Sequence, residues 1–273
     1  MHIRPSSPHP RAKKSLGQHF LHDVNTARRI ASLLEIGPDD TVLEIGPGTG
    51  ALTRHLIAAA PRRLICLEKD RELAPLLKTS HPDVDVVLMD AMQAPWDRLG
   101  AACPGLKIAG NLPYNVASPL MWDCIARTPG FERAVFMIQK EVARRIVAPP
   151  GGKEYGALTV WLQAFATVEY AFTVGPGVFT PRPKVDSGVI VLRPRPLNLH
   201  DLAPAGPAEL AAVVRRCFQQ RRKQLGTILR GYIDESVAGI LAADGILLTA
   251  RPETLAVSQF LTLAKCLGRR FAP

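Results

Sequence analysis

A doubly wound, mainly parallel α/β sheet followed by a small all-helical C-terminal domain is the fold this sequence predicts, and three observations predict it. Short β-rich apolar runs at residues 41–45, 63–67, 84–89, 106–110 and 134–138 alternate with helical stretches, the spacing of β–α units around a parallel sheet. The first run passes through Gly46-Pro47-Gly48-Thr49-Gly50 into a helix, the glycine-loop arrangement of Rossmann-like sheets that lets backbone approach a ligand closely. After Pro194-Arg195-Pro196 the strand signals end and helical patterns alone remain.

Each element follows from local chemistry. Residues 1–12 are rich in Pro, His and Arg without an apolar core, so they predict a flexible basic arm and no secretory signal. A helix is predicted over 23–34, where Ile30, Leu33 and Leu34 form its stripe and Gly37-Pro38-Asp39-Asp40 stops it. The glycine loop leads into a helix through 60; the next two strands end in Glu68 and Asp90. The fourth opens through Asn111-Leu112-Pro113-Tyr114 toward a helix at 116–125. Beyond the fifth strand come a helix at 139–147 and a loop, Pro149-Pro150-Gly151-Gly152-Lys153, expected to close over a substrate. A helix at 157–166 and strands at 168–174 and 188–192 complete a domain of residues 13–195. Helices at 207–219, 223–230, 235–242 and 252–267 make up the second domain, residues 196–273.

Composition narrows the partners. The 273 residues hold 34 basic and 24 acidic side chains, a net charge of +10, which attracts a polyanion. No run of about 18 apolar residues occurs, so nucleic acid is favoured over a membrane. The 5 cysteines are scattered without a C-x-x-C pair, which predicts reduced thiols in a cytoplasmic protein and no metal site.

Four strand ends bring Gly46, Glu68, Asp90 and Asn111 to one rim. Gly46, Gly48 and Ala51 satisfy G-x-G-x-x-A, and Glu68 lies where a ribose-binding acid belongs, so a dinucleotide dehydrogenase is one option. Pro47, which lacks an N–H, and Glu44, which adds negative charge just inside the first strand, weigh against a pyrophosphate. S-adenosylmethionine, an adenosine with a cationic, amine-bearing end, suits the rim better. Glu68 would take its ribose hydroxyls, Asp90 its adenine amino group, and the backbone around Gly46 and Gly48 its methionine end.

Asn111 to Tyr114 suit an exocyclic amine on a flat base. An Asn oxygen and a main-chain carbonyl each accept one N–H, Pro113 fixes the loop, and Tyr114 offers a stacking face. In Phe179-Thr180-Pro181-Arg182-Pro183-Lys184-Val185-Asp186-Ser187, two prolines are expected to hold the segment out of any ladder. Phe179 would then project from a stiff support as a second stacking ring, with Arg182 and Lys184 beside it for phosphate. Arg215, Arg216, Arg221, Arg222 and Lys223 form the densest basic cluster, balanced only by Glu209, and are expected to contact the phosphate backbone.

Lys-Lys-Ser-Leu-Gly-Gln-His-Phe-Leu at 13–21, Glu-Ile-Gly-Pro-Gly-Thr-Gly at 44–50, Asp90-Ala91-Met92, the stretch 110–114 and the stretch 179–187 together resemble the ribosomal RNA adenine N6-dimethyltransferase family, in particular its bacterial small-subunit branch. The resemblance spans about residues 13–260. It implies a class I methyltransferase fold, S-adenosylmethionine as donor, no metal, and transfer of two methyl groups to each of two adjacent adenosines. Those adenosines lie in the 3′-terminal hairpin loop of small-subunit (16S) RNA; free RNA and the immature subunit both stand as the expected substrate, and a monomer is expected. It places His19, Leu21, Gly46, Glu68, Asp90 and Asn111 at the cofactor, Asn111 to Tyr114 at the target amine, and Phe179 as the stacking aromatic. The family commonly carries Asn where His19 stands. Three other functions fit the same residues: a large-subunit RNA methyltransferase of the macrolide-resistance type, a DNA adenine methyltransferase, and a non-catalytic ribosome-assembly or transcription factor.

Overall fold

A computed structural model describes residues 12–195 and 206–271. Almost all of the expected N-terminal arm, and the expected domain boundary after residue 195, lie outside the described residues.

Strands β2 (Thr41–Ile45), β3 (Arg63–Glu68), β4 (Asp85–Leu88), β5 (Lys107–Asn111), β6 (Arg133–Gln139), β7 (Ala166–Val174) and β9 (Ser187–Pro194) form a seven-stranded sheet in the order β4-β3-β2-β5-β6-β9-β7. The strands from β2 to β6 run parallel, while β9 runs antiparallel to both β6 and β7. From β2 the chain winds outward through β3 to β4, then returns to place β5 on the other side of β2. The topological switch therefore lies between β2 and β5, where open α/β sheets bind ligands. Ile45 is in register with Gly110 there. A Cβ on Gly110 would come within 2.7 Å of Leu112 Cδ2 and 3.1 Å of Ile45 O, so only glycine lets these two strand ends approach so closely.

Helices cover both faces, as strand alternation requires. Val42, Ala109, Val135, Met137 and Val191 face α1 (Val24–Ser32), α2 (Thr53–Ala58) and α3 (Leu73–Ser80) in one buried cluster. Leu43, Ile45, Ile108, Phe136, Ile138 and Ile190 face α4 (Trp96–Ala102), α5 (Ala117–Arg127) and α7 (Ala157–Phe165) in the other, to which α6 (Lys140–Ile146) adds Ala143 and Ile146. Asp23 caps α1 by accepting the Thr26 N–H at 2.7 Å, which explains where that helix begins.

The second apolar cluster runs without a break into α8 (Pro207–Gln219), α9 (Leu225–Ile228), α10 (Glu235–Ala243) and α11 (Val257–Phe271), through Leu210, Phe260 and Leu267. Two of these differ from the sequence expectation. The helix expected at 223–230 is a single turn, Leu225–Ile228, whose first N–H groups, on Leu225 and Gly226, go to Ala250 O and Leu248 O. The helix expected from 252 begins only at Val257, after a short 3₁₀ turn at Pro252–Thr254 and an extended residue at Leu255.

A further difference lies outside the main sheet. Strand β1 (Phe20–Leu21) pairs antiparallel with β8 (Phe179–Thr180), Leu21 opposite Phe179, so the proline-flanked segment does enter a ladder. Its prolines follow the paired residues and leave their N–H groups intact. Among the described residues no helix is long and apolar enough to cross a membrane.

Candidate active site at the sheet rim

The ends of β2, β3, β4 and β5 open into one pocket. Gly46, Gly48, Glu68, Asp90 and Asn111 line it together with Tyr114, residues 15–21 and Phe179. Cross-strand hydrogen bonds hold the rim: Gly46 N–H to Leu67 O at 2.9 Å, Met89 N–H to Glu68 O at 2.9 Å, and Leu112 N–H to Met137 O at 3.0 Å. Gly46 has φ +64°, and a Cβ added to it would meet no atom within 4 Å, so it turns the chain while presenting bare backbone to open space.

Three carboxyls differ in state because their surroundings differ. Glu68 is buried and accepts N–H groups from Gly48 at 3.0 Å and Asp70 at 2.8 Å. Burial raises its pKa, against the pull of those hydrogen bonds. Asp90 accepts the Met92 N–H at 3.0 Å and pairs with Lys69 Nζ at 2.7 Å. Burial pushes Asp90 upward, but Lys69 and the Met92 N–H outweigh it and leave its pKa lowered. Burial raises the Glu44 carboxyl to about 7, so near neutral pH it carries only part of the negative charge expected from the sequence, and the Cys66 thiol donates to it at 3.6 Å. A pocket with buried carboxyl oxygens beside a glycine turn accepts hydroxyls, amino groups and a cation. Gly48 also turns its N–H inward to Glu68, which disfavours a pyrophosphate. S-adenosylmethionine fits this donor and acceptor set.

At the end of β5, Asn111 Nδ2 donates to His19 O at 3.1 Å, and among the described residues nothing donates to its Oδ1. Leu112 buries its side chain, and no donor among the described residues reaches its carbonyl. Pro113 O accepts the N–H groups of Val116 and Ala117, launching α5 directly from the loop. Tyr114 is fixed at its far end by a 2.8 Å hydrogen bond to Ser187 Oγ, and its ring stacks with His19 at a centroid distance of 5.7 Å. His19 Nδ1–H donates to Pro181 O at 2.6 Å. The contact from position 19 to Asn111 thus uses main chain, which any residue supplies, and the imidazole faces Tyr114 and Pro181. Leu21 is buried under the pocket beside Phe179.

Phe179 corrects the picture of a projecting ring. It is 4 % exposed, because its pairing with Leu21 draws it into the cluster under the pocket wall. The loop expected to close over a substrate is also pinned: Gly151 N–H donates to Glu253 O at 2.7 Å, and Arg221 donates to Lys153 O at 2.6 Å. Arg221 pairs with Glu253 at 2.6 Å, so this member of the basic cluster joins the loop to the helical region instead of standing free. Arg216 lies over Tyr232 and Phe271 at 5.8 and 5.9 Å, and exposed Arg215 over Trp122 at 5.6 Å. Arg182, Lys184, Arg222 and Lys223 are exposed and enter no ion pair among the described residues.

Sequence reasoning missed Lys13, Gln18 and Asp70. Asp70 is 3 % exposed and binds Lys13 Nζ at 2.7 Å and Gln18 Nε2 at 2.9 Å. These partners are 57 and 52 residues away in sequence, so spacing gives no signal of them.

Comparison with known proteins agrees with this geometry. The sequence pattern of the ribosomal RNA adenine dimethylase family matches residues 9–268. The chain is 57 % identical over 265 residues to ribosomal RNA small subunit methyltransferase A of Nitratidesulfovibrio vulgaris, covering 95 % of this chain and 97 % of that one. It is 38 % identical to the protein of the same name from Pseudomonas putida, covering 94 % and 96 %. Among solved structures it is similar to a dimethyladenosine transferase from Plasmodium falciparum, with a TM-score of 0.76 and 26 % identity over 93 % of this chain and 99 % of that one. The 23S rRNA methyltransferase ErmE gives 0.66 and 30 % over 91 % and 99 %.

Proposed function

The chain belongs to the ribosomal RNA adenine dimethylase family, and from that premise we propose that it dimethylates N6 of two adjacent adenosines near the 3′ end of small-subunit (16S) RNA. The observation that carries this is the shared pocket: the glycine turn, Glu68 and Asp90 open into the same space as Asn111 to Tyr114. The small subunit is favoured because relatives bearing that subunit's name are 38 % to 57 % identical to the chain, against 30 % for the large-subunit enzyme.

S-adenosylmethionine supplies the electrophilic methyl group. Glu68 would accept its ribose hydroxyls, Asp90 its adenine amino group, and the backbone of Gly46 and Gly48 its methionine end, with Glu44, His19 and Leu21 also lining that space. Adenine N6 is a weak nucleophile because its lone pair is delocalised into the ring. Asn111 Oδ1 and Leu112 O accept its two hydrogens and favour the pyramidal amine, whose lone pair is free to attack. No strong base is needed: as the N–C bond forms the donor's S–CH3 bond breaks and S-adenosylhomocysteine leaves, the amine proton, acidic only then, passes to water, and rate comes mainly from positioning. Tyr114 stacks on the unstacked base, with its hydroxyl anchored to Ser187, and Phe179 supports the opposite wall from its buried position. Pro113 fixes the loop. After the first transfer one hydrogen remains, and a single acceptor still orients the base.

Arg182, Lys184, Arg215, Arg222 and Lys223 hold the RNA backbone, while Arg216 and Arg221 serve the fold. The work divides between a catalytic part at 13–195 and an RNA-holding part at 196–273. The substrate is the immature small subunit and the chain acts as a monomer. A cytoplasmic setting is supported by its free thiols at Cys66, Cys103, Cys124, Cys217 and Cys266.

Calorimetric titration with S-adenosylmethionine, followed by methyl transfer to transcribed small-subunit RNA, large-subunit RNA and duplex DNA, tests this. We expect binding and selective transfer to the first. Transfer to large-subunit RNA alone would move the chain to the macrolide-resistance type, transfer to duplex DNA to the DNA adenine class. RNA binding without transfer would make it a non-catalytic factor.

A further inference from the structure

We propose that Asp70 is a positioning residue for cofactor binding: it clamps the segment 13–21 as a strap across the pocket and holds that strap in register with Glu68. The inference rests on the cofactor reading above and adds to it a residue that does not itself touch the ligand.

The geometry is a short relay. Glu68 sits in the pocket wall with one oxygen on the Gly48 N–H and the other on the Asp70 N–H. Two residues after Glu68, the Asp70 carboxylate turns the other way. One oxygen accepts Lys13 Nζ at 2.7 Å and the Glu72 N–H at 2.9 Å; the other accepts Gln18 Nε2 at 2.9 Å. Gln18 closes the strap on itself by accepting the Lys13 N–H at 2.7 Å. Lys13 also reaches Glu72 at 3.1 Å.

The strap carries the clamp to both halves of the site. Gly17 lies against the target loop: a Cβ there would come within 2.9 Å of Asn115 Oδ1 and 3.5 Å of Pro113 Cβ. One residue past Gln18, His19 O accepts the Asn111 side chain. Phe20 and Leu21 then pair with Thr180 and Phe179, and His22 N–H donates to Val178 O at 3.0 Å. The strap is therefore fastened at its far end by a ladder of two residue pairs and at its near end by one buried carboxylate. Residues 15–21 all line the pocket, so the clamp at the strap's near end helps to fix one wall of the space a ligand would occupy.

Asp70 also has a local role, since its side chain accepts the Glu72 N–H and its carbonyl accepts the N–H groups of Leu73 and Ala74 at the start of α3. Asn can replace Asp in that turn, but it loses the charge that binds Lys13 and places an N–H₂ group among the donors. The test therefore pairs Asp70→Asn with Lys13→Met, which removes the ion pairs to Asp70 and Glu72 but leaves the turn's own N–H bonds in place. Stopped-flow dissociation of S-adenosylmethionine, steady-state methyl transfer and trypsin cleavage after Lys14 are measured for each variant and for the double.

We expect each single variant to release cofactor about tenfold faster, raising KM while kcat changes less than about twofold, and to be cut faster after Lys14. The double variant is no worse than the worse single, because both break one clamp. Salt speeds dissociation in the wild-type chain and has little effect in the variants. Wild-type dissociation and cleavage in both singles would overturn the inference. If the wild-type chain bound no S-adenosylmethionine, the functional reading would fall on its own, while faster cleavage of Asp70→Asn without ligand would still support the clamp.

Discussion

The sheet rim and the C-terminal helical region carry charge in opposite ways. At the rim, Glu68, Asp70 and Asp90 each have named partners, fixed by backbone N–H groups or by a lysine, within a pocket walled by a strap. In the helical region, Arg222 and Lys223 stand in solvent without ion pairs among the described residues. A site built the first way recognises small polar groups with fixed geometry. One built the second way attracts a polyanion, and salt weakens it. Within the helical region Arg221 obeys the rim's rule instead, since Glu253 and two carbonyls hold it.

The sharpest way to break this contrast is through Glu44, whose carboxyl lies beneath the rim with a pKa near 7 in place of 4.5. The folded chain keeps that proton between those values while the unfolded chain releases it. This stabilising contribution is therefore complete below about 4.5 and is lost as pH rises through about 7, by on the order of 3 kcal/mol. Denaturant unfolding of Glu44→Gln against the wild-type chain between pH 4.5 and 8 should show that slope removed. Parallel pH profiles for the two would mean that Glu44 carries its charge in the folded state.

Next in size is Asn111→Ala. Losing Oδ1 should slow methyl transfer at least about tenfold, about 1.4 kcal/mol or more, with S-adenosylmethionine affinity within about threefold of wild type. Near-normal turnover in a radiolabelled-methyl assay would remove Asn111 from the chemistry.

The two kinds of arginine are separated by smaller effects. Arg221→Ala should lower unfolding stability by about 1 kcal/mol, because it removes a partly exposed ion pair to Glu253 and two carbonyl contacts, and should leave the salt dependence of RNA binding nearly unchanged. Arg222→Ala should do the reverse: stability within about 0.5 kcal/mol and a salt slope reduced by about one. Equal salt slopes for the two variants would show that the distinction drawn from their partners is not functional.

How much of this was legible depended on sequence distance. The strand ends at Gly46, Glu68, Asp90 and Asn111 follow from periodicity and from turn chemistry next to each strand, so the rim was readable. Glu44 sits inside the run Thr41–Ile45, and its burial on a central strand follows from the fold; its protonation follows only once both flanking strands are in place. The pairing of Phe179 with Leu21, the clamp of Asp70 on Lys13 and Gln18, and the Arg221–Glu253 pair join residues far apart in the chain. No local pattern encodes such pairings. For that reason Phe179 read as projecting and Arg221 as free.

The most direct test of a common pocket for donor and target is mass mapping of small-subunit RNA. Subunits lacking the modification are incubated with the purified chain and S-adenosylmethionine, and their RNA is digested and mapped. We predict two methyl groups on N6 of each of two neighbouring adenosines near the 3′ end. Unmodified adenosines there, despite saturated S-adenosylmethionine binding by the same preparation, would contradict it.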